Sequence, residues 1–116
     1  RVQALLRRAQ LETEKVLLFE HTRLDYNALT LTDLERDEVY QIPRKEFYLL
    51  YKLLSNPEKI FTRLDLLDDI WGMEEDLDER LVDACIKRVR QKFKENKDFE
   101  IVTIRGLGYK GTIKNG

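Results

Sequence analysis

The spacing of apolar residues changes twice along this chain, and that change limits the possible folds more than any other feature. From Lys15 to Ile42 apolar residues form a short run, Val16-Leu17-Leu18-Phe19. Leu24, Tyr26, Leu29 and Leu31 then alternate with polar neighbours, and Val39, Tyr40 and Ile42 close the set. Asp25-Tyr26-Asn27 and the segment Asp33 to Asp37 supply polar turns, so about four short antiparallel strands are expected. After Pro43 the spacing becomes helical. Phe47, Leu50, Tyr51 and Leu54 share one face of a first helix, which Ser55-Asn56-Pro57 ends. Thr62 is positioned to cap a second helix from Arg63 to Trp71, with Leu66, Leu67 and Ile70 inward and Gly72 as its stop. A third runs from Asp78 to about Glu95, with Val82, Ile86, Val89 and Phe93 as its core stripe. Alternation then returns in Glu100–Arg105 and Tyr109–Ile113, joined across Gly106-Leu107-Gly108 as a hairpin.

A chain of 116 residues, 42% hydrophobic and 37% charged, suits one compact domain with a heavily charged surface. No apolar run approaches the roughly 20 residues of a membrane helix. Cys85 is the only cysteine, which excludes an internal disulfide and fits a reducing cytosol, so a cytoplasmic location is expected. Arg1 to Arg8 has Val2, Leu5, Leu6 and Ala9 at helical spacing but no start cap. It reads as the tail of an upstream domain, which divides the chain into residues 1–14 and a domain over residues 15–116.

The net charge of −1 hides a sharp segregation. Asp65, Asp68, Asp69, Glu74, Glu75, Asp76, Asp78 and Glu79 follow one another with no basic residue between them. Arg80, Lys87, Arg88, Arg90, Lys92, Lys94 and Lys97 come next, against Asp83 and Glu95. Local fields of this kind, more than net charge, decide where a polyanion docks.

With Val82 at zero and 100° per residue, Lys87, Arg80, Gln91, Ala84 and Arg88 fall at roughly 140–240°, opposite the core stripe. Leu81 and Cys85 flank that face on one side and Arg90 on the other. Long basic side chains around one small alanine suit a major groove, because the alanine allows close approach while Arg and Lys reach guanine edges or phosphates. An ordinary solvated basic face has the same composition. The hairpin shifts the balance toward the groove, although alone it could be any hairpin turn. Thr103-Ile104-Arg105-Gly106-Leu107-Gly108-Tyr109 places an arginine at a tight turn, where it fits the narrow minor groove. Strands, three helices and a terminal hairpin in this order make an α+β winged helix-turn-helix.

Ordered motifs then carry a resemblance: Pro43-Arg44-Lys45-Glu46-Phe47, Leu49-Leu50, Leu66-Leu67, Ile70-Trp71-Gly72, Asp78-Glu79-Arg80, Val82-Asp83, Ile86-Lys87-Arg88-Val89-Arg90 and Arg105-Gly106-Leu107-Gly108-Tyr109. With this spacing, over roughly Leu17 to Ile113, the chain resembles the OmpR/PhoB-type effector domains of bacterial response regulators. The resemblance implies a four-stranded amino-terminal sheet, a three-helix core and a carboxy-terminal wing. It implies double-stranded DNA as partner, bound by a homodimer on direct-repeat half-sites. It aligns Arg80, Leu81, Ala84, Cys85, Lys87, Arg88 and Arg90 with positions that touch DNA, beside Gln91 from the helical projection. Thr103, Arg105 and Tyr109 align with wing positions that reach phosphates or the minor groove, and Trp71 with a position near the backbone. The loop Gly72, Met73, Glu74, Glu75, Asp76 and Leu77 aligns with a segment that contacts RNA polymerase in some members. The implied phosphorelay, from a partner sensor kinase to an aspartate, would act on a receiver domain preceding this chain, and no cofactor or metal is implied here. Leu81 stands where many members have threonine, Cys85 where many have histidine and Leu77 where glycine is common. Base reading therefore shifts toward Lys87, Arg88 and apolar contact with thymine methyls.

Several residues keep two readings. Cys85 is a small helix residue at the interface or, beside Lys87 and Arg88, a stabilised thiolate. The acidic run Asp65–Glu79 is a solvated surface or the docking face of a protein-interaction module. Trp71 is a packing residue or a backbone contact. His21, the only histidine, has no Cys or His at ligand spacing and is expected on a strand surface. No nucleophile, base and orienting group come together in the motifs, so no enzyme is expected.

Overall fold

The computed structural model describes residues 16–72 and 78–114; the helix expected over Arg1–Arg8 and the loop expected from Met73 to Leu77 lie outside the described residues. Four strands, β1 (Val16–Leu18), β2 (Thr22–Asp25), β3 (Thr30–Asp33) and β4 (Glu38–Gln41), form an antiparallel sheet in that order. Leu24 lies opposite Leu31, and both are buried. Their turns are built by side chains. The Asp25 carboxylate accepts the Asn27 and Ala28 N–H groups at 3.0 and 3.2 Å, and Asp33 accepts those of Glu35 and Arg36 at 3.0 and 3.1 Å. Such Asx turns satisfy the backbone while the chain reverses. β4 departs from expectation. Val39 is 64% exposed and Tyr40 is exposed too, because β4 is an edge strand and only Ile42, just beyond it, reaches the core.

Helix α1 (Arg44–Ser55) starts after Pro43, whose carbonyl accepts the Phe47 N–H at 2.9 Å. It buries Phe47, Leu50 and Leu54 as its spacing predicts, and also Leu49, Leu53 and Glu46. The wider burial follows from its central position. Phe47 and Tyr51 meet Tyr26 of the sheet side at ring-centroid distances of 6.1 and 4.9 Å, while the other flank carries the remaining helices and the wing. Each fully buried leucine or phenylalanine contributes about 1.5–3 kcal/mol.

After β5 (Phe61–Thr62), helix α2 runs over Arg63–Leu66 and continues as a wider π turn over Leu67–Trp71. Thr62 caps it reciprocally with Asp65: the Thr62 hydroxyl accepts the Asp65 N–H at 3.0 Å, and the Asp65 carboxylate accepts the Thr62 N–H at 3.2 Å. Gly72, at φ 85°, ends the helix as expected. Helix α3 spans Arg80–Lys92, shorter than the 78–95 that the spacing suggests. Asp78 still serves its start, accepting the Arg80 N–H at 2.9 Å. Phe93 leaves helical geometry at φ −122°, and its ring packs against Tyr40 at 6.0 Å and Phe99 at 6.4 Å.

Strands β6 (Phe99–Ile104) and β7 (Gly108–Ile113) form the hairpin, and β5 joins the far edge of β7 to give the order β5-β7-β6. Gly106 makes the turn at φ 77°, a left-handed value that favours glycine. The amino-terminal sheet is tied to the foot of the hairpin by buried Asp98, whose carboxylate accepts the His21 N–H at 2.8 Å and the Thr22 hydroxyl at 2.5 Å. This brings Glu20, His21 and Asp98 within 4.8 Å, a grouping that no spacing along the chain announces. One core runs from Leu24 and Leu31 through α1 to Ile101 and Tyr109.

Candidate nucleic-acid interface

Helix α3 has two faces. Val82, Ile86 and Val89 are buried against α1 and the wing, and Leu81, Ala84, Lys87, Arg88 and Gln91 are exposed. The exposed set is basic with one alanine in its midst, as the helical projection anticipates.

Cys85 is the clear correction. It is 0% exposed and sits in the core, so it cannot touch DNA from this position. The projection places it about 60° from Val82. The core extends over that flank because α1 packs there, a width that one helix's periodicity cannot reveal. Burial first, and then the negative charge of Glu46, push its thiol up to about 12, outweighing Arg88 and Lys92. The thiolate reading fails with it. A thiol-reactive reagent at neutral pH is expected to leave the folded chain unmodified and to label Cys85 only after denaturation; rapid native labelling would contradict this burial.

Beneath α3 lies Glu46 of α1, 5% exposed. Its carboxylate accepts hydrogen bonds from Arg88 Nε at 2.9 Å and Lys92 Nζ at 2.7 Å. Burial alone would raise its pKa; the Lys92 and Arg88 hydrogen bonds outweigh burial and hold it below the ordinary carboxylate value. The sequence marks Glu46 only as part of a family motif. Its usable signal is an acidic residue three and four positions before the buried Leu49 and Leu50.

Three residues aligned with DNA-contact positions have other partners. Arg90 donates from Nε to the Ile101 carbonyl at 3.1 Å and from Nη2 to the Thr103 hydroxyl at 2.5 Å, and it lies 5.7 Å from the Tyr109 ring centre. Tyr109 is buried, and its hydroxyl donates to Asp83 of α3 at 2.5 Å. Asp83 also receives Arg63 Nε at 3.2 Å. Arg90, Thr103 and Tyr109 thus brace the wing against α3. Neither Asp83 nor Arg63 stood out in the sequence as part of that brace.

Arg105, Gly106 and Leu107 are exposed at the wing tip. Arg80, at the start of α3, is clamped by Asp78 through Nη2 at 2.9 Å and Nε at 3.2 Å. Trp71 is half-buried against the core, a packing role. Of the expected polymerase-contact loop only Gly72 is among the described residues, and its N–H donates to the Leu67 and Asp68 carbonyls.

A three-helix core with a basic exposed face on its last helix and a hairpin braced beside it defines a winged helix-turn-helix DNA-binding domain. The family model for the carboxy-terminal region of transcriptional regulatory proteins matches residues 37–111, and the chain belongs to that family, as an effector domain of the OmpR/PhoB type. Among its relatives, the heme response regulator HssR of Staphylococcus epidermidis is 39% identical over 111 residues, which cover 95% of this chain and 49% of that protein. The chain therefore spans about half the length of such relatives. Of solved structures, the Thermotoga maritima response regulator DrrB, an OmpR/PhoB homologue, is 31% identical with a TM-score of 0.70, over 95% of this chain and 52% of that one. The DNA-binding domain of Klebsiella pneumoniae RstA, solved in complex with the RstA box, is 27% identical with a TM-score of 0.70, over 84% of this chain and 97% of that one. The chain is a DNA-binding effector domain for transcription regulation, and its family is not one of enzymes.

Proposed function

We propose that this domain reads specific sequences in double-stranded DNA, with α3 in the major groove and the tip around Arg105 at the neighbouring minor groove or its phosphates. The observation that carries this reading is the open face of α3. Ala84 permits close approach, Lys87, Arg88 and Gln91 supply donors around it, and Leu81 supplies apolar contact. Arg90, Thr103 and Tyr109 support it by holding the wing in register with that helix. Residues 1–14 are read as the end of a receiver domain on which a sensor kinase acts. The whole regulator then works in the cytoplasm as a homodimer on direct repeats, with the 72–77 loop toward RNA polymerase.

The rival reading, a protein-docking module using the acidic stretch, is disfavoured by the engagement of four of its five described acidic residues. Asp65 closes a capping box, Asp69 pairs with Lys52 at 2.7 Å, Glu79 with Arg63 at 3.6 Å, and Asp78 with Arg80. Sequence selection from a random duplex pool tests the proposal. Arg88→Ala is expected to weaken binding to the selected duplex by roughly 1–3 kcal/mol and to relax preference at one position. Lys94→Ala should cost less, and equally on all sequences. Unchanged affinity and preference in Arg88→Ala would remove α3 from the groove.

A further inference from the structure

Glu46 occupies a position that the neighbouring α1 residues fill with leucine and phenylalanine, yet it is a carboxylate, 5% exposed. It spends one oxygen on each of two α3 cations, Oε2 on Arg88 and Oε1 on Lys92, which stand one helical turn apart. An apolar side chain would fill such a site without the desolvation cost of a charge. A carboxylate adds direction. With Nε engaged, the planar Arg88 guanidinium can no longer swing freely about its long stem, and its Nη1 and Nη2 donate to no other described residue. The Arg88 side chain remains 57% exposed despite the anchor. The same carboxylate cancels one of the two positive charges it holds, so it reduces indiscriminate attraction to phosphate while it orients the donors left for a base edge.

We propose that Glu46 is a positioning residue that sets sequence discrimination: it aims Arg88 from beneath α3 and restrains Arg88 and Lys92 from binding phosphates of any sequence. The proposal rests on the groove reading above. The alternative role is a plain structural pin between α1 and α3.

The test titrates wild type and Glu46→Gln against two duplexes of equal length, one selected by the wild-type chain from a random pool and one of random sequence, over a range of salt. Glu46→Gln is expected to bind the random duplex several-fold more tightly. Its salt slope should be steeper by roughly 0.9 for each cation released. The ratio of selected to random affinity should fall about tenfold, in the range of one bidentate base contact. In an Arg88→Ala background the same substitution should leave that ratio unchanged, because its effect passes through Arg88. A structural pin gives a different result, with both affinities falling in parallel with thermal stability at constant slope, and that overturns the proposal. A wild-type chain that selects no sequence overturns the groove reading itself. Selection by wild type with ratio and slope kept in Glu46→Gln overturns the Glu46 role alone. Should Glu46→Gln not fold, Glu46→Asp keeps the charge but shortens its reach. It should lower the ratio at constant slope, and an unchanged ratio counts against the proposal.

Discussion

Gly108→Ala is expected to destabilise the domain by about 3 kcal/mol, the upper end of over-packing costs. For a domain of this size that corresponds to a fall in Tm of more than about 10 °C. Gly108 opens β7 and pairs with Ile104 on one side and Thr62 on the other. A β-carbon there would overlap the Phe61 carbonyl oxygen and lie 2.8 Å from Thr62 Cα. Both obstacles are backbone, so no rotamer change relieves them, and β5 must separate from β7. That also disturbs the α2 cap at Thr62 and the Tyr109–Asp83 brace. Gly106→Ala differs in kind. Open space surrounds its β-carbon, and the penalty comes only from the φ of 77°, so a smaller loss is expected. Thermal unfolding of both variants checks the ranking, and equal Tm values would show that the β5–β7 approach is looser than described.

Binding to duplex DNA is expected to fall steeply with salt. Lys87, Lys94 and Arg105 are exposed and lie on α3, just beyond its end, or on the wing tip; Arg80 is set aside because Asp78 already neutralises it, and Arg88 and Lys92 because Glu46 holds them. Three cations at about 0.9 each give a slope near −2.7 per domain, so raising salt from about 50 to 200 mM should weaken binding roughly 40-fold. A slope near twice that value is the signature of two protomers on one duplex. A flat response would instead favour docking to a protein through the acidic stretch. Electrophoretic mobility or fluorescence anisotropy at stepped salt separates these outcomes.

Much of the architecture was legible before any coordinates. Asp25 and Asp33 announce turns because an aspartate can hydrogen-bond the backbone just ahead of it, and both do so here. Thr62 with Asp65, and Gly72 after Trp71, mark a helix start and stop through local chemistry alone. The wing turn follows from Gly106 in the same way. These features depend on neighbours within a few residues, which is the range over which a sequence is its own environment.

The site was legible only in outline. The basic face of α3 follows from helical period, so Ala84, Lys87, Arg88 and Gln91 were placed on the exposed side by arithmetic. What Cys85, Arg90, Thr103 and Tyr109 touch was not, because each answer lies on another element. Cys85 is covered by α1, Arg90 reaches residues 11 and 13 positions away, and Tyr109 reaches Asp83 across 26. Glu46 meets Arg88 across 42 positions. The order of elements, the turns and caps, and the charged side of α3 all follow from the residues in line. Which of those charges stand free, and which are committed to bracing or aiming, is settled by packing. Periodicity and capping act through local backbone geometry, whereas a side chain's hydrogen-bond partner depends on elements that packing alone brings within about 3 Å of it.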